Sequence, residues 1–447
     1  MERTEARALA QAAVDAALAA GADGAEAIVD ASSTLGVSLA NNDLEQVKVA
    51  DETILGLRIL RDGRMGFATT NRPAEVAALV EEAVAIGKAS PVDDLATLPD
   101  AAPVPEAEDV LDEALLAVDA SALAQIASTW LDRLRDMDSR VSIDSGDFTV
   151  ERSTRAIASS TGVDVAWRSA AASGGVFGMA VTPEGPGSFS YDGDVVRRLS
   201  ELDGAVELSF RRFVDACIGA LDPQRGQSFR GPLLVPPRAL DSFLIGPLMG
   251  ALSGKNVRLG RSPLADKAGE RIASARFTLR DRGAGLDHFA LAPFDREGQP
   301  RRARVLVDAG VLDGFVYDSR EGRAAGAGST GSAAGGASGP PRIGVASLSI
   351  DPGERTSQEM IQGLERGVIV TRFAGTTNPV SGDFSGVVKG GFLVEKGALT
   401  PIHETTIAGN VWRCLESISA LSSDTTPLDG TRRYPWVRVE DLSITAA

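Results

Sequence analysis

The 447-residue chain is long enough for two or three domains of ~100–200 residues each, and its 43% hydrophobic and 24% charged content is that of an ordinary globular protein. A formal charge of −16 and the lack of any long basic run exclude the clustered Lys and Arg that nucleic acid or an anionic membrane surface demands. The start MERTEARALAQ carries acids in place of a signal-peptide core, the uncharged stretch 324–341 is Gly, Ala and Ser rather than a bilayer span, and two cysteines make no disulfide framework, so a cytoplasmic address is expected.

The first predicted element is a small-residue amphipathic helix over 4–20, stopped at Gly21. Three alternating segments follow, AEAIVDASSTLGVSLANND, LEQVKVADETILGLRIL and MGFATT, which predict strands joined at Asn41-Asn42-Asp43 and Arg61-Asp62-Gly63. A second helix is expected from Pro73, with Val76, Leu79, Val80, Ala83 and Ile86 on its apolar face and Gly87 at its end. Residues 91–117 are acidic and rich in Pro and Ala, which predicts a surface linker. The pattern then recurs. A helix carries Leu123, Ile126, Trp130, Leu134 and Met137; strand-like segments RVSIDSGDFTVE, TRAIASS, VDVAWRSAAA and GVFGMAV come next; a helix with Val206, Phe210, Phe213, Val214, Cys217 and Leu221 closes the unit. The first half therefore predicts helix–strands–helix twice, a duplication by pattern.

From about Pro232 the character changes. PLLVPP predicts a short strand, and 240–252 an apolar helix that Pro247 must kink or break. Strand-like runs RARVLVDAGVLDGFVYD, GVASLSI, GVIVTRF, GVVKGGFLVEKGALTPI and WVRVEDLSI follow, interrupted by short helices after a capping box of Thr356 with Glu359 and near Asn410. Long strands, Gly turns and few crossover helices predict a largely antiparallel second domain. The expected architecture is α+β: an N-terminal domain over 1–225 and a mostly antiparallel β domain over 226–447.

No complete catalytic constellation emerges. A catalytic zinc needs about three protein ligands and an open position. The two histidines, His288 and His403, are far apart, and His403-Glu404 follows a hairpin at Glu395-Lys396-Gly397 rather than lying on a helix. Cys217 and Cys414 sit on apolar helix faces and are expected as core residues. GAGSTG, 326–331, has the three glycines of a dinucleotide loop but is followed by SAAGGASGPPR instead of a helix, and predicts a flexible loop. MGALSGKN, 249–256, lacks the first Gly and the Ser or Thr of a phosphate loop. Asp295 and Glu297 in PFDREGQP alternate as a carboxylate pair would, although a Gly turn accounts for the same pattern.

Several ordered phrases carry a resemblance: Asp295-x-Glu297-Gly298, Gly310-Val311-Leu312, Ser329-Thr330-Gly331, Ser381-Gly382-Asp383-Phe384, Gly391-Phe392-Leu393-Val394-Glu395 and Thr406-Ile407-Ala408-Gly409-Asn410. Together they resemble the TldD/PmbA family, the so-called modulators of DNA gyrase. TldD-like members of that family are metallopeptidases that carry His-Glu-x-x-x-His on a helix and a cysteine ligand near the C-terminus. Laid on without gaps, His, Glu and His would fall at Ile245, Gly246 and Gly250, and the C-terminal region has no cysteine. The resemblance is thus to the metal-free PmbA/TldE-like branch, and it implies no catalytic residues, no metal and no cofactor in this chain, with zinc held only by a TldD-like partner subunit. It implies a heterodimer that cleaves unfolded peptides, as in peptide maturation or antitoxin-type proteolysis. The alternative is a metal-free homodimer that binds peptides or serves a structural role without protease activity. A hydrolase built on Asp295 and Glu297 is a third reading. Thr376, Asn378, Gly382, Asp383 and Ser385 in the Gly-rich 372–385 region are the expected partner or peptide contacts. Neither nucleic acid nor membrane is expected as a partner.

Overall fold

A computed structural model of the chain describes residues 1–105, 108–286 and 289–446; His288 lies outside the described residues. The N-terminal half is one antiparallel sheet backed by helices. The elements run α1 (Arg3–Ala19), β1 (Gly24–Ala40), β2 (Asp43–Arg61), β3 (Arg64–Thr70), α2 (Val76–Ala89), α3 (Glu113–Leu116), α4 (Ala120–Met137), β4 (Val141–Ser159), β5 (Asp164–Thr182), β6 (Gly185–Pro186), β7 (Ser190–Val196) and α5 (Leu199–Gly219). Strand order is β3-β2-β1-β4-β5-β7, so the α1–α2 and α4–α5 stretches, with three and four strands between their helices, meet along the β1–β4 ladder. Segments that the alternation splits in two, such as RVSIDSGDFTVE and TRAIASS, fuse into single 19-residue strands, and in β4 an irregularity between Ile143 and Ser145 lets Ile143 face the same core as Phe148 and Val150. The hairpin turns are where expected. Asn41 and Asn42 have φ of 49° and 64°, and Asp62 and Gly63 have 52° and 69°, the left-handed pair that a two-residue hairpin with native twist requires.

The helices cover one face of this sheet. Val14, Leu79 and Ala83 pack on Leu55 and Leu57 in one core, and Trp130, Phe210 and Phe213 pack on Phe148 in the other. The opposite face turns Ile28, Ile157 and Trp167 toward Ala292, Phe294 and Ala337 of the C-terminal half. Helix α2 starts at Val76, three residues after Pro73, and runs two residues past Gly87. The 91–117 segment departs from the expected surface linker. Leu98 and Leu115 are buried, Glu113–Leu116 is a helical turn capped by Asp112, and Asp93 pairs with Arg320 across the chain at 2.9 Å. A polar, Pro-rich composition conceals these two apolar anchors.

The C-terminal half is organised around a 13-stranded sheet that is antiparallel except where Leu348–Ile350 meets Arg432–Ala446 and where β8 (Phe229–Val235) meets Arg366–Ile369. The apolar segment 237–252 runs through its core, with Leu240, Phe243, Leu244, Ile245, Leu248 and Leu252 all fully buried. Pro247 does not break it. Proline offers no N–H to the turn before it, and the chain accommodates this by a π turn at Asp241–Ile245, in which the Gly246 amide reaches back to Asp241 O, before Gly246–Leu252 resumes as α-helix. Two further short helices are capped as the sequence predicts, Ser357–Gln362 by the Thr356–Glu359 box and Val411–Glu416 by Asn410, and the first closes on Gly363. A third, Ser319–Ala325, closes on Gly326 in the left-handed conformation. The glycines that follow form a loop pinned by Thr330, whose hydroxyl accepts from Tyr317 N at 2.8 Å. No helix of the described residues is long and apolar enough to cross a membrane.

Candidate functional site

The 237–252 segment is where the resemblance places metal chemistry. Ile245 is fully buried hydrocarbon, and Gly246 and Gly250 have no side chain. One turn earlier Phe243 stands edge-on to Phe384 at 4.8 Å between ring centres and lies 5.2 Å from Phe373, and those two rings meet each other at 5.8 Å. The three rings form an apolar plug between this segment and the strands Arg372–Thr377 and Asp383–Lys389. A divalent cation needs deprotonated N, O or S donors converging on one point. The side chains at 245, 246 and 250 do not fit a metal.

The expected contact residues lie on the hairpin that carries two of these rings. Thr376 and Ser385 are cross-strand partners, both exposed. Asn378 starts the tip, where its side-chain carbonyl accepts from Val380 N at 2.9 Å and Ser381 N at 3.0 Å. Asp383 accepts from the Asn410 amide at 2.9 Å and from the Ser381 hydroxyl at 2.9 Å, which together hold its carboxyl below the usual aspartate range. Gly382 is buried at φ +81° against Trp412: a Cβ there would stand 2.3 Å from the indole Nε1. The hairpin is therefore tied to the helix Val411–Glu416 through Asn410, not left as a free flap. Arg372–Thr377 is an edge strand, whose ladder partner among the described residues is Asp383–Lys389 alone. Gly375 and Gly386 sit opposite each other, close enough that either Cβ would meet the other's Cα at 2.5 Å, and the Phe373 ring covers them.

Asp295 and Glu297 are fully buried, in a turn at Gly298 with φ +74° that Phe294 and Pro300 close by bridging. Both carboxylates are committed to structure. Asp295 accepts backbone N–H bonds from Glu297, Gln299 and Ala333 at 2.8–3.0 Å. Burial lifts its carboxyl to about 7 despite those donors, with the charge of Glu297 adding to the rise. Glu297 accepts from Arg58 at 3.0 Å and from Ser319 N at 2.8 Å. Arg58 also donates to Glu26 at 2.6 Å, and Arg296 donates to the other Glu26 oxygen at 2.8 Å. Two carboxylates and two guanidinium groups thus make a neutral buried quartet joining β1 and β2 to the 293–300 turn. Burial works against the charged form of Glu26, but Arg58 and Arg296 outweigh it and hold its pKa below the glutamate value. Glu26, Arg58 and Arg296 escaped the sequence reading. The available signal was a charge at an inward-facing position of a strand, Glu26 in AEAIV and Arg58 in ILGLRIL.

Cys217 and Cys414 are buried among apolar side chains, and burial pushes each thiol up to about 12. His403 is exposed in the bend before Thr405–Asn410, its backbone N–H bonded to Gln224 O at 3.0 Å, while Glu404 pairs with Lys389.

Comparison with known proteins agrees with the fold. The model of the PmbA/TldA metallopeptidase C-terminal domain matches residues 228–446, and that of PmbA/TldA metallopeptidase domain 1 matches residues 25–87. The chain is 26% identical over 419 residues to metalloprotease PmbA of Escherichia coli O157:H7, covering 89% of this chain and 87% of that protein. It is 26% identical over 432 residues to the PmbA homologue of Haemophilus influenzae, covering 92% and 90%. The crystal structure of TldE from Thermococcus kodakarensis superimposes with a TM-score of 0.88 at 26% identity, covering 99% of this chain and all of that one.

Proposed function

Because the chain belongs to the PmbA/TldD metallopeptidase family, we propose that it is a metal-free, non-catalytic PmbA/TldE-like subunit of a heterodimeric peptidase acting on unfolded peptides. The observation that carries this reading is chemical: Ile245, Gly246 and Gly250 offer no donor for a metal and no base for a water, and Phe243, Phe373 and Phe384 occupy the adjoining space. Metal chemistry then belongs to a partner bearing His-Glu-x-x-x-His, and no step is assigned to a metal in this chain. The work left to this chain is to shape and shield the peptide path. The exposed edge of Arg372–Thr377 suits an extended peptide or a partner strand, since strand addition recognises backbone more than side chains. Thr376, Asn378, Asp383 and Ser385 supply polar side chains beside that edge, and Gly382 sets the tip geometry.

The test is proteolysis of a disordered peptide by the purified chain, by a TldD-like partner from the same source, and by the two together. Cleavage restricted to the mixture, with both chains in one complex by light scattering, is the expected result. Cleavage by this chain alone, or full cleavage by the partner with no effect of this chain, overturns the reading.

A further inference from the structure

A second concave site lies between the two halves, on the face of the N-terminal sheet that is free of helices. It is a cleft of about 620 Å³ whose floor comes from β1, β4, β5 and β7 and whose far wall includes Phe289, Ala292 and Arg301. Arg155 in it is already neutralised by a two-bond pair with Asp30 at 2.6 and 2.9 Å. Arg197 and Arg301 have no such direct pair. Among the described residues neither forms an ion pair, and the polar contacts of their side chains are to backbone carbonyls, Arg197 to Ala170 O at 3.1 Å and Arg301 to Ala292 O at 3.3 Å. The Arg197 Nε is buried with no hydrogen-bond partner among the described residues. Its guanidinium lies over the Phe289 ring at 4.1 Å and within 5.5 Å of Trp167, so two aromatic walls fix its plane.

Two half-buried guanidinium groups with no carboxylate in direct contact are costly unless something anionic visits them. Burial lowers the affinity of both groups for their protons, Arg197 to about 10; Glu151 opposes this for Arg197, and Asp295 and Asp281 oppose it for Arg301, while Arg155 adds to it there. The floor residues lie on strands whose backbone amides are engaged in ladders, so the cleft lacks the backbone nest that usually holds a phosphate. Two planar guanidinium forks, one of them held between aromatic walls, match a carboxylate on a short aliphatic stem instead.

Resting on the peptide reading above, we propose that the Arg197–Arg301 cleft binds the carboxylate of a peptide, from an acidic side chain or a C-terminus. This gives the subunit a preference for acidic segments at a place remote from the Phe243 plug. The test is calorimetric titration of the lone full-length chain, with no partner and no cleavage, so its result is separate from that of the proteolysis experiment. The probes are an unstructured, end-capped peptide bearing two Glu, the same peptide with Gln, and the Gln peptide with a free α-carboxylate. The Glu peptide, the free α-carboxylate peptide or both should bind about 10-fold or more tighter than the capped Gln peptide, and which of them does so identifies the source of the carboxylate. Arg197→Gln and Arg301→Gln should each abolish that preference, and Arg197→Lys, which keeps charge but loses the fork, should retain only part of it. Equal affinity for all three peptides overturns the proposal whatever the variants do, because that comparison needs only the native protein. Inorganic phosphate that displaces the acidic peptides at lower concentration than acetate overturns the carboxylate assignment.

Discussion

Substituting Glu26→Gln tests the buried quartet that joins the two halves. Glu26 and Glu297 are each 1% exposed, Arg58 is 4% and Arg296 0%, so water cannot compensate a lost charge. The substitution leaves two guanidinium groups facing one carboxylate and turns an amide N–H₂ toward a donor that now lacks an acceptor. Breaking a buried pair from one side costs about 3–5 kcal/mol, most of it the stranded charge. Spread over 447 residues, at about 2 cal/mol/K of unfolding entropy each, this lowers Tm by about 3–5 °C if the halves unfold together. Adding Arg58→Met restores neutrality, so the double variant should lose about 1–3 kcal/mol less than the two single losses combined. Glu26 has a depressed pKa when folded, so its stabilisation is complete above the ordinary glutamate value of 4.5 and disappears as pH falls through the folded value. Melts from pH 7 downward should therefore show a smaller acid loss in Glu26→Gln than in the wild type. A Glu26→Gln protein within about 0.5 kcal/mol of wild type, or a strictly additive double variant, refutes the reasoning.

Asp295 has the opposite sign: its folded pKa of about 7 lies above the ordinary 3.8, so its contribution is full below 3.8 and lost as pH rises through about 7. Asp295→Asn should lower stability overall, since Ala333 N loses its acceptor, and should flatten stability between those two pH values; an unchanged slope in denaturant titrations contradicts the burial argument. Cys217 and Cys414, with thiols raised to about 12, should resist iodoacetamide at pH 8 in the native protein and react fully in urea, and labelling of the folded chain would show that their helices open. Gly382→Ala places a methyl 2.3 Å from the Trp412 indole at φ +81°, a backbone cost of about 1–2 kcal/mol before the clash is counted. Hydrogen exchange should speed up across 372–389, and unchanged protection would mean that the hairpin does not depend on this seat.

The long antiparallel strands, their type of turn and the helices that flank them were legible because alternation, Asn-Asn and Asp-Gly pairs, and Gly stops act locally. The capped helices at Thr356 and Asn410 were legible for the same reason. Segment 91–117 was not, because Leu98 and Leu115 anchor to surfaces supplied by distant residues. Pro247 correctly marked a disturbed helix, but the π turn that absorbs it depends on the surrounding core. At the site, residue identity shows that 245, 246 and 250 carry no donor side chain, while the expectation that a metal motif belongs there came from the resemblance. The aromatic plug could not, since Phe243 lies 130 or more positions from Phe373 and Phe384. Neither could the quartet, whose Glu26 and Arg296 are 270 positions apart.

Isothermal titration of zinc into the metal-stripped, partner-free chain addresses the central claim most directly. With carbon and hydrogen alone at 245, 246 and 250, no stoichiometric site of micromolar or tighter affinity is expected, and Tm should not respond to added zinc. One tightly bound zinc per chain, with a rise in Tm, would contradict the assignment of metal chemistry to another subunit.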